Sequence, residues 1–278
     1  MVERNFHELI AAQWAQKKFL CVGLDSDFEK IPESARIDGV RGTLVAFNRA
    51  IIDATKDIVC AYKPNPAFYE AHGDEGFAAL RETIEYIHLQ APDVAVIVDA
   101  KRGDIGNTNE QYARSVFDHL RADAVTVQPY LGGEPLAPFF KYKNKGVIVL
   151  CHTSNPGAGE IQELEVHGEP LYKVVTRLAV EKWNSNGNCC VFVGATYPEE
   201  LKEVRAMIGD MPILTAGIGA QDGDLEKCVL GGINSKKGGL MINASRSILF
   251  ASSGNDFAAI ARKNAMELHT SIVAALPQ

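Results

Sequence analysis

The chain has 278 residues, 46% of them hydrophobic and 23% charged, and carries a formal net charge of -7. An acidic balance argues against a general nucleic-acid or anionic-membrane surface, where clustered Lys and Arg would be expected. No window approaches the roughly 18 apolar residues of a membrane span, and the start MVERNFHELIAAQWAQKKF lacks a cationic segment followed by a continuous apolar core, so a cytoplasmic protein is expected.

Eight short apolar, β-branched runs recur in order: FLCVGLD from residue 19, IVCAYKPN from 58, VAVIVDAK from 94, AVTVQP from 124, GVIVLCHT from 146, CCVFVGAT from 189, PILTAGIG from 212 and GLMINAS from 239. Near-continuous hydrophobicity marks strands covered on both faces. Helical patterns fall between them at 43–57, 76–91, 107–121, 170–186, 198–208 and 255–275. This alternation predicts an α/β protein, a TIM (β/α)8 barrel forming a single domain over 1–278. Connections 26–42 and 154–169 are long, polar and follow strand ends, the side on which such barrels build their sites. An open doubly wound sheet that bound a dinucleotide would be expected to carry a glycine-rich turn after its first strand, where this chain reads Leu24-Asp25-Ser26-Asp27.

Six cysteines, mostly within apolar runs and never spaced CxxC, are expected to be buried thiols with no disulfide and no zinc. The seven histidines show no HxxxH or HxH spacing, so no metal ligation is expected. Cys151-His152 reads as a core thiol beside a hydrogen-bonded histidine, because adjacent strand residues face opposite ways.

The chemistry concentrates in residues 99–108, DAKRGDIGNT. Asp99 and Lys101, two apart on a strand, are expected to point the same way, with Asp104 beyond them where Gly103 and Gly106 let the chain turn. A structural salt bridge needs two such residues, and a third charge on one short segment suggests a site. On a barrel, Asp25, Lys63 with Asn65, Asp99 with Lys101, Gln128, His152 to Asn155, Thr196, and Gln221 with Arg246 should all face one pocket. GIGAQDGD from Gly217 and NASRS from Asn243 combine exposed backbone N–H groups with an arginine fork, a phosphate-binding combination at strands seven and eight.

Over nearly its whole length the chain resembles the orotidine 5'-phosphate decarboxylases, in their longer bacterial-type branch. The resemblance rests on LCVGLD, AYKPN, DAKRGDIGNT, TSNPGAGE and AGIGAQDGD followed by ASRSILFA, in the family's order. It implies that Lys63, Asp99, Lys101 and Asp104 form a charged catalytic array, with Asp104 contributed across a homodimer interface. It implies further that Asp25 and Thr108 contact ribose, Ile105 lines the pyrimidine pocket and Ser154 reads the base edge. Gln221 and Arg246 would hold the 5'-phosphate, with Gly217, Gly219 and Ser245 in the same segments. The implied substrate is orotidine 5'-monophosphate, with no metal or organic cofactor. Ala216 and Asp222 depart from the Pro and Gly more usual there. Three other readings remain open at this point: a related Mg2+-dependent sugar-phosphate decarboxylase, a Schiff-base aldolase using Lys63 or Lys101, and a non-catalytic nucleotide-binding barrel.

Overall fold

All eight apolar runs become strands in the computed structural model, which describes residues 4–218 and 224–277. In chain order the main elements are α1 (Phe6–Ala15), β1 (Leu20–Leu24), α2 (Val40–Thr55), β2 (Val59–Pro64), α3 (Gly73–Gln90), β3 (Ala95–Arg102), α4 (Gly106–Ala113), β4 (Ala124–Val127), β5 (Gly146–His152), α5 (Leu171–Leu178), β6 (Cys189–Val193), α6 (Pro198–Ile208), β7 (Ile213–Ala216), α7 (Leu225–Gly232), β8 (Leu240–Ala244) and α8 (Phe257–Ala274). The strands close in the order β1-β8-β7-β6-β5-β4-β3-β2, each parallel to its neighbours. A two-residue antiparallel ribbon, Glu165 and Val166 against Glu169 and Pro170, decorates the long connection after β5. Among the described residues, no helix is long and apolar enough to cross a membrane. All six cysteines are buried and unbridged.

Alternation along the strands divides the core in two. Cys21, Ala61, Ile97, Ala124, Ile148, Cys190, Leu214 and Met241 turn into the barrel, while their neighbours pack outward under the helices. Helices α4 and α5 pass at their ends into π-helical turns, Arg114–His119 and Ala179–Trp183.

Of these eight main helices, two fall outside the sequence expectation. Helix α7 has only eight residues and ends in two glycines, too short to show a period. Helix α1 buries Phe6 and Ile10 but also Gln13, so its apolar stripe is thin. Its role is positional. Phe6 and Ile10 join the interior cluster at the N-terminal ends of the strands, where a Cβ on Gly146 would lie 2.4 Å from the Phe6 ring. Trp14 Nε1 donates to the Leu240 carbonyl at 2.8 Å. The N-terminal mouth is therefore plugged.

At the same end, Arg205 of α6 is buried and binds four carbonyl oxygens: Gly232 at 2.8 Å, Gly209 and Met211 at 2.7 Å, and Gly239 at 2.6 Å. Burial lowers its pKa to about 10, still far above neutrality, so the guanidinium stays charged. Its donors tie the ends of α6 and α7 to the starts of β7 and β8. Arg205→Met should therefore cost about 3 kcal/mol of stability, since each orphaned buried carbonyl costs about 1–3 kcal/mol in part offset by relaxation. A urea midpoint indicating a loss below about 1 kcal/mol would count against this role.

Candidate active site

The site is built on an irregularity in β3. Val98 pairs with Val125 and Arg102 with Val127, so Asp99, Ala100 and Lys101 stand opposite the single residue Thr126. Such a bulge re-aims side chains. Within it Lys101 has φ +48°, the left-handed region that residues other than glycine seldom occupy. The Lys101 backbone N–H donates to Thr126 Oγ1 at 3.0 Å, and that hydroxyl donates to Asp99 Oδ1 at 2.9 Å. Asp99 and Lys101 do converge as expected, but a bulge rather than simple strand alternation brings them together.

Asp99 is shared between two cations. Lys63 Nζ lies 2.7 Å from its Oδ2, and Lys101 Nζ lies 2.7 Å from its Oδ1. Lys63 also stands 3.8 Å from Asp25 Oδ1, a buried oxygen with no hydrogen-bond partner among the described residues. Burial pushes the Asp99 carboxyl up, but the Lys63 and Lys101 charges outweigh it and hold the group well below the usual carboxylate range. Burial likewise works against the Lys63 ammonium, and the Asp99 and Asp25 charges reverse it, leaving Lys63 above its ordinary value. The Lys63 side chain is 4% exposed and that of Lys101 49%, so one cation supports and the other is presented.

A cavity of about 520 Å³ opens beside this array at the C-terminal ends of the strands. Of the expected residues, Asp25, Lys63, Asn65, Asp99, Lys101, Thr153, Ser154, Asn155, Gly217, Ser245 and Arg246 line it. Gly194 sets the position of Ser154, because a Cβ there would lie 2.8 Å from the Ser154 backbone. Gly217, which follows β7 and lines the cavity, adopts φ +111°, a backbone conformation that favours glycine. Gly219, Gln221 and Asp222 lie outside the described residues.

Other expectations are redirected. Gln128 does not line the cavity; its amide donates to the Gly103 carbonyl at 2.8 Å and its oxygen accepts from Tyr130 N at 2.8 Å. His152 is buried between the rings of Tyr172 and Tyr197, with Nε2 3.3 Å from Glu163 Oε1. Thr196 also stays off the cavity wall. Asp104, Ile105 and Thr108 lie beside the bulge but outside this chain's cavity. The Asp104 carboxylate accepts from the Ile105 N–H at 2.7 Å, and Asn109 bridges the Asp104 backbone and the Pro135 carbonyl. Sequence reasoning did not single out Thr126 or Gly194, and took Asn243 only as the start of NASRS, whereas its buried Oδ1 at the cavity wall has no hydrogen-bond partner among the described residues.

A closed parallel barrel with a charge array and an arginine at the carboxyl ends of its strands defines a (β/α)8-barrel protein with an enzyme-type site. Comparison with known proteins narrows the class. The chain belongs to the orotidine 5'-phosphate decarboxylase / HUMPS family, whose profile matches residues 18–261. It is 48% identical over 269 residues to orotidine 5'-phosphate decarboxylase of Cupriavidus metallidurans, covering 96% of this chain and 97% of that one. Leishmania donovani OMP decarboxylase superposes with a TM-score of 0.81 at 36% identity, covering 96% of this chain and 99% of that one. Leishmania donovani UMP synthase gives 0.85 at 38% identity, with 98% of this chain matched to 57% of that longer one.

The depressed Asp99 carboxyl makes a pH prediction. Its ionised form stabilises the fold above the unfolded pKa of about 3.9, and this contribution is lost as pH falls below that toward the lower folded value. Asp99→Asn removes the titration. The stability gap between the two proteins, read from urea midpoints, should shrink as pH drops from about 6 to 3. A constant gap would show that Asp99 titrates normally.

Proposed function

We infer that the chain decarboxylates orotidine 5'-monophosphate to UMP and CO2, the last step of de novo pyrimidine nucleotide synthesis. It is a carboxy-lyase. The observation that carries the reading is the Asp99 carboxylate clamped between a buried and a presented lysine at the mouth of the barrel. The names of the relatives support it over the Mg2+-dependent and non-catalytic alternatives. A Schiff-base role is disfavoured because lysines paired with carboxylates stay protonated and are poor nucleophiles.

The chemistry follows from the array. Breaking the C6–carboxylate bond leaves an electron pair in an in-plane orbital that the pyrimidine ring does not delocalise. The Lys101 ammonium stabilises that pair and then transfers a proton to C6. Asp99 faces the departing carboxylate, and two like charges about 4 Å apart repel by about 4 kcal/mol at an effective dielectric of about 20. Enzymatic barriers fall by about 8–23 kcal/mol, so repulsion is a minor part and fixed transition-state electrostatics carry the rate. Lys63 keeps Asp99 ionised. Arg246, with Ser245, Gly217, Gly219 and Gln221, receives the 5'-phosphate; Asp25 and Ser154 receive the ribose and the base edge. Remote phosphate binding supplies energy to hold the reacting groups in place.

The reading includes a homodimer with shared sites, in which Asp104, Ile105 and Thr108 of one copy complete the cavity of the other. Their exclusion from their own chain's cavity supports this. So does the exposure of Ile105, Tyr130 and Leu131 on the loops that follow β3 and β4, an apolar surface suited to a second copy.

The purified chain with EDTA should consume orotidine 5'-monophosphate, followed by its absorbance. Lys101→Ala should abolish turnover, and a variant keeping more than about a tenth of wild-type kcat, under 1.4 kcal/mol of barrier, would remove Lys101 from the central role. Activity lost in EDTA and restored by Mg2+ would favour the metal-dependent alternative.

Shared sites make a second prediction. Inactive Lys101→Ala and Asp104→Ala proteins, mixed with subunit exchange, should regain about a quarter of wild-type activity, because half the dimers are mixed and each then has one intact site. No recovery, with exchange verified by tagged subunits, would place Asp104 in its own chain's site.

A further inference from the structure

We propose that Thr126 is a positioning residue for the decarboxylation, its hydroxyl fixing the Lys101 backbone and the Asp99 carboxylate relative to one another. The inference rests on the decarboxylase reading above. Thr126 is 1% exposed in β4, at the one position opposite the bulge. The β3–β4 register passes directly from Val98–Val125 to Arg102–Val127, so the Lys101 N–H takes a side-chain oxygen as its partner where a regular ladder would supply a carbonyl.

Hydrogen-bond polarity is unambiguous here. The Lys101 N–H is only a donor, so Thr126 Oγ1 accepts from it; an ionised carboxylate is only an acceptor, so the same hydroxyl spends its one proton on Asp99 Oδ1. That oxygen is also the one 2.7 Å from Lys101 Nζ. The backbone and the ammonium tip of Lys101 are thus both referenced to one carboxylate oxygen, the first through Thr126 and the second directly. Removing the hydroxyl orphans a partly buried N–H and withdraws a support of the left-handed backbone at Lys101. The ammonium then loses its fixed position relative to C6. Arg246 and Ser154, on other elements, are untouched, so the loss should fall on kcat and spare KM.

Valine replaces the hydroxyl of threonine with a methyl of similar size, and serine keeps the hydroxyl but loses the methyl. Thr126→Val should lower kcat about 10- to 100-fold, the scale of a small misplacement of a reacting group, with KM and UMP inhibition within about threefold of wild type. Thr126→Ser should stay within about threefold of wild type in kcat. If Thr126→Val fails to fold, Thr126→Ala against Thr126→Ser makes the same comparison, since those two differ only in the hydroxyl. Wild-type kcat in the valine variant, or in the alanine variant if that one is used, overturns the proposal. So does a serine variant as impaired as valine or alanine, which would make packing the cause. Wild-type protein in the same assay separates the readings: if it is inert toward orotidine 5'-monophosphate, the decarboxylase reading fails; if it turns over, the variants judge Thr126.

Discussion

The mouth of the barrel is organised around a carboxylate that is largely buried and kept ionised. Taking Asp99 out of water is unfavourable by several kcal/mol in isolation, and the two ammonium groups at 2.7 Å are what make the ionised form tolerable. Each partner depends on the others. Lys63 is buried only because Asp99 and Asp25 lie beside it, and Asp99 is ionised only because both lysines are charged. On the proposed reading, this coupling sets the charges of the array in advance, so that it reorganises little as charge develops.

The rest of the architecture separates that charged region from the parts that confer stability. Below it the barrel is filled by apolar side chains and closed by Phe6 and Ile10 of α1, and Arg205 gathers the carbonyls at the same far end. Above it lie the bulge at residues 99–101 with its left-handed Lys101, and Gly217 at positive φ; left-handed Lys17, Arg121 and Lys237 sit in turns that lead into strands at the other end. Strain near a site persists only where the surrounding structure holds it. Regular strands and well-satisfied buried carbonyls provide that support.

Much of this was legible in the sequence, for physical reasons. Parallel strands covered on both faces must be continuously apolar, so all eight were visible, and a run of alternating charges at the end of one has few structural excuses. Helix α1 was not, because a plug needs only two large side chains and shows little periodicity. The bulge was invisible because residues 99–101 contain no glycine to announce it, and Thr126 was hidden because threonine in AVTV looks like an ordinary β-branched strand residue. Gln128 was misplaced because its position at the end of β4 suggested the cavity, whereas Gly103 comes close enough for a Cβ to lie 2.5 Å from its amide, and the side chain is used to brace that turn.

The plug at the barrel floor also orders events during synthesis. Helix α1 precedes every strand of the barrel, and part of its anchoring lies far along the chain: the Asn144 carbonyl that accepts from Phe6 N, and the Leu240 carbonyl that accepts from Trp14. Its packing against β2 and β3 can form early, whereas Trp14 has its carbonyl partner only once β8 is made. Contacts that close loops of this length are slow to form and leave apolar residues open to other chains in the meantime.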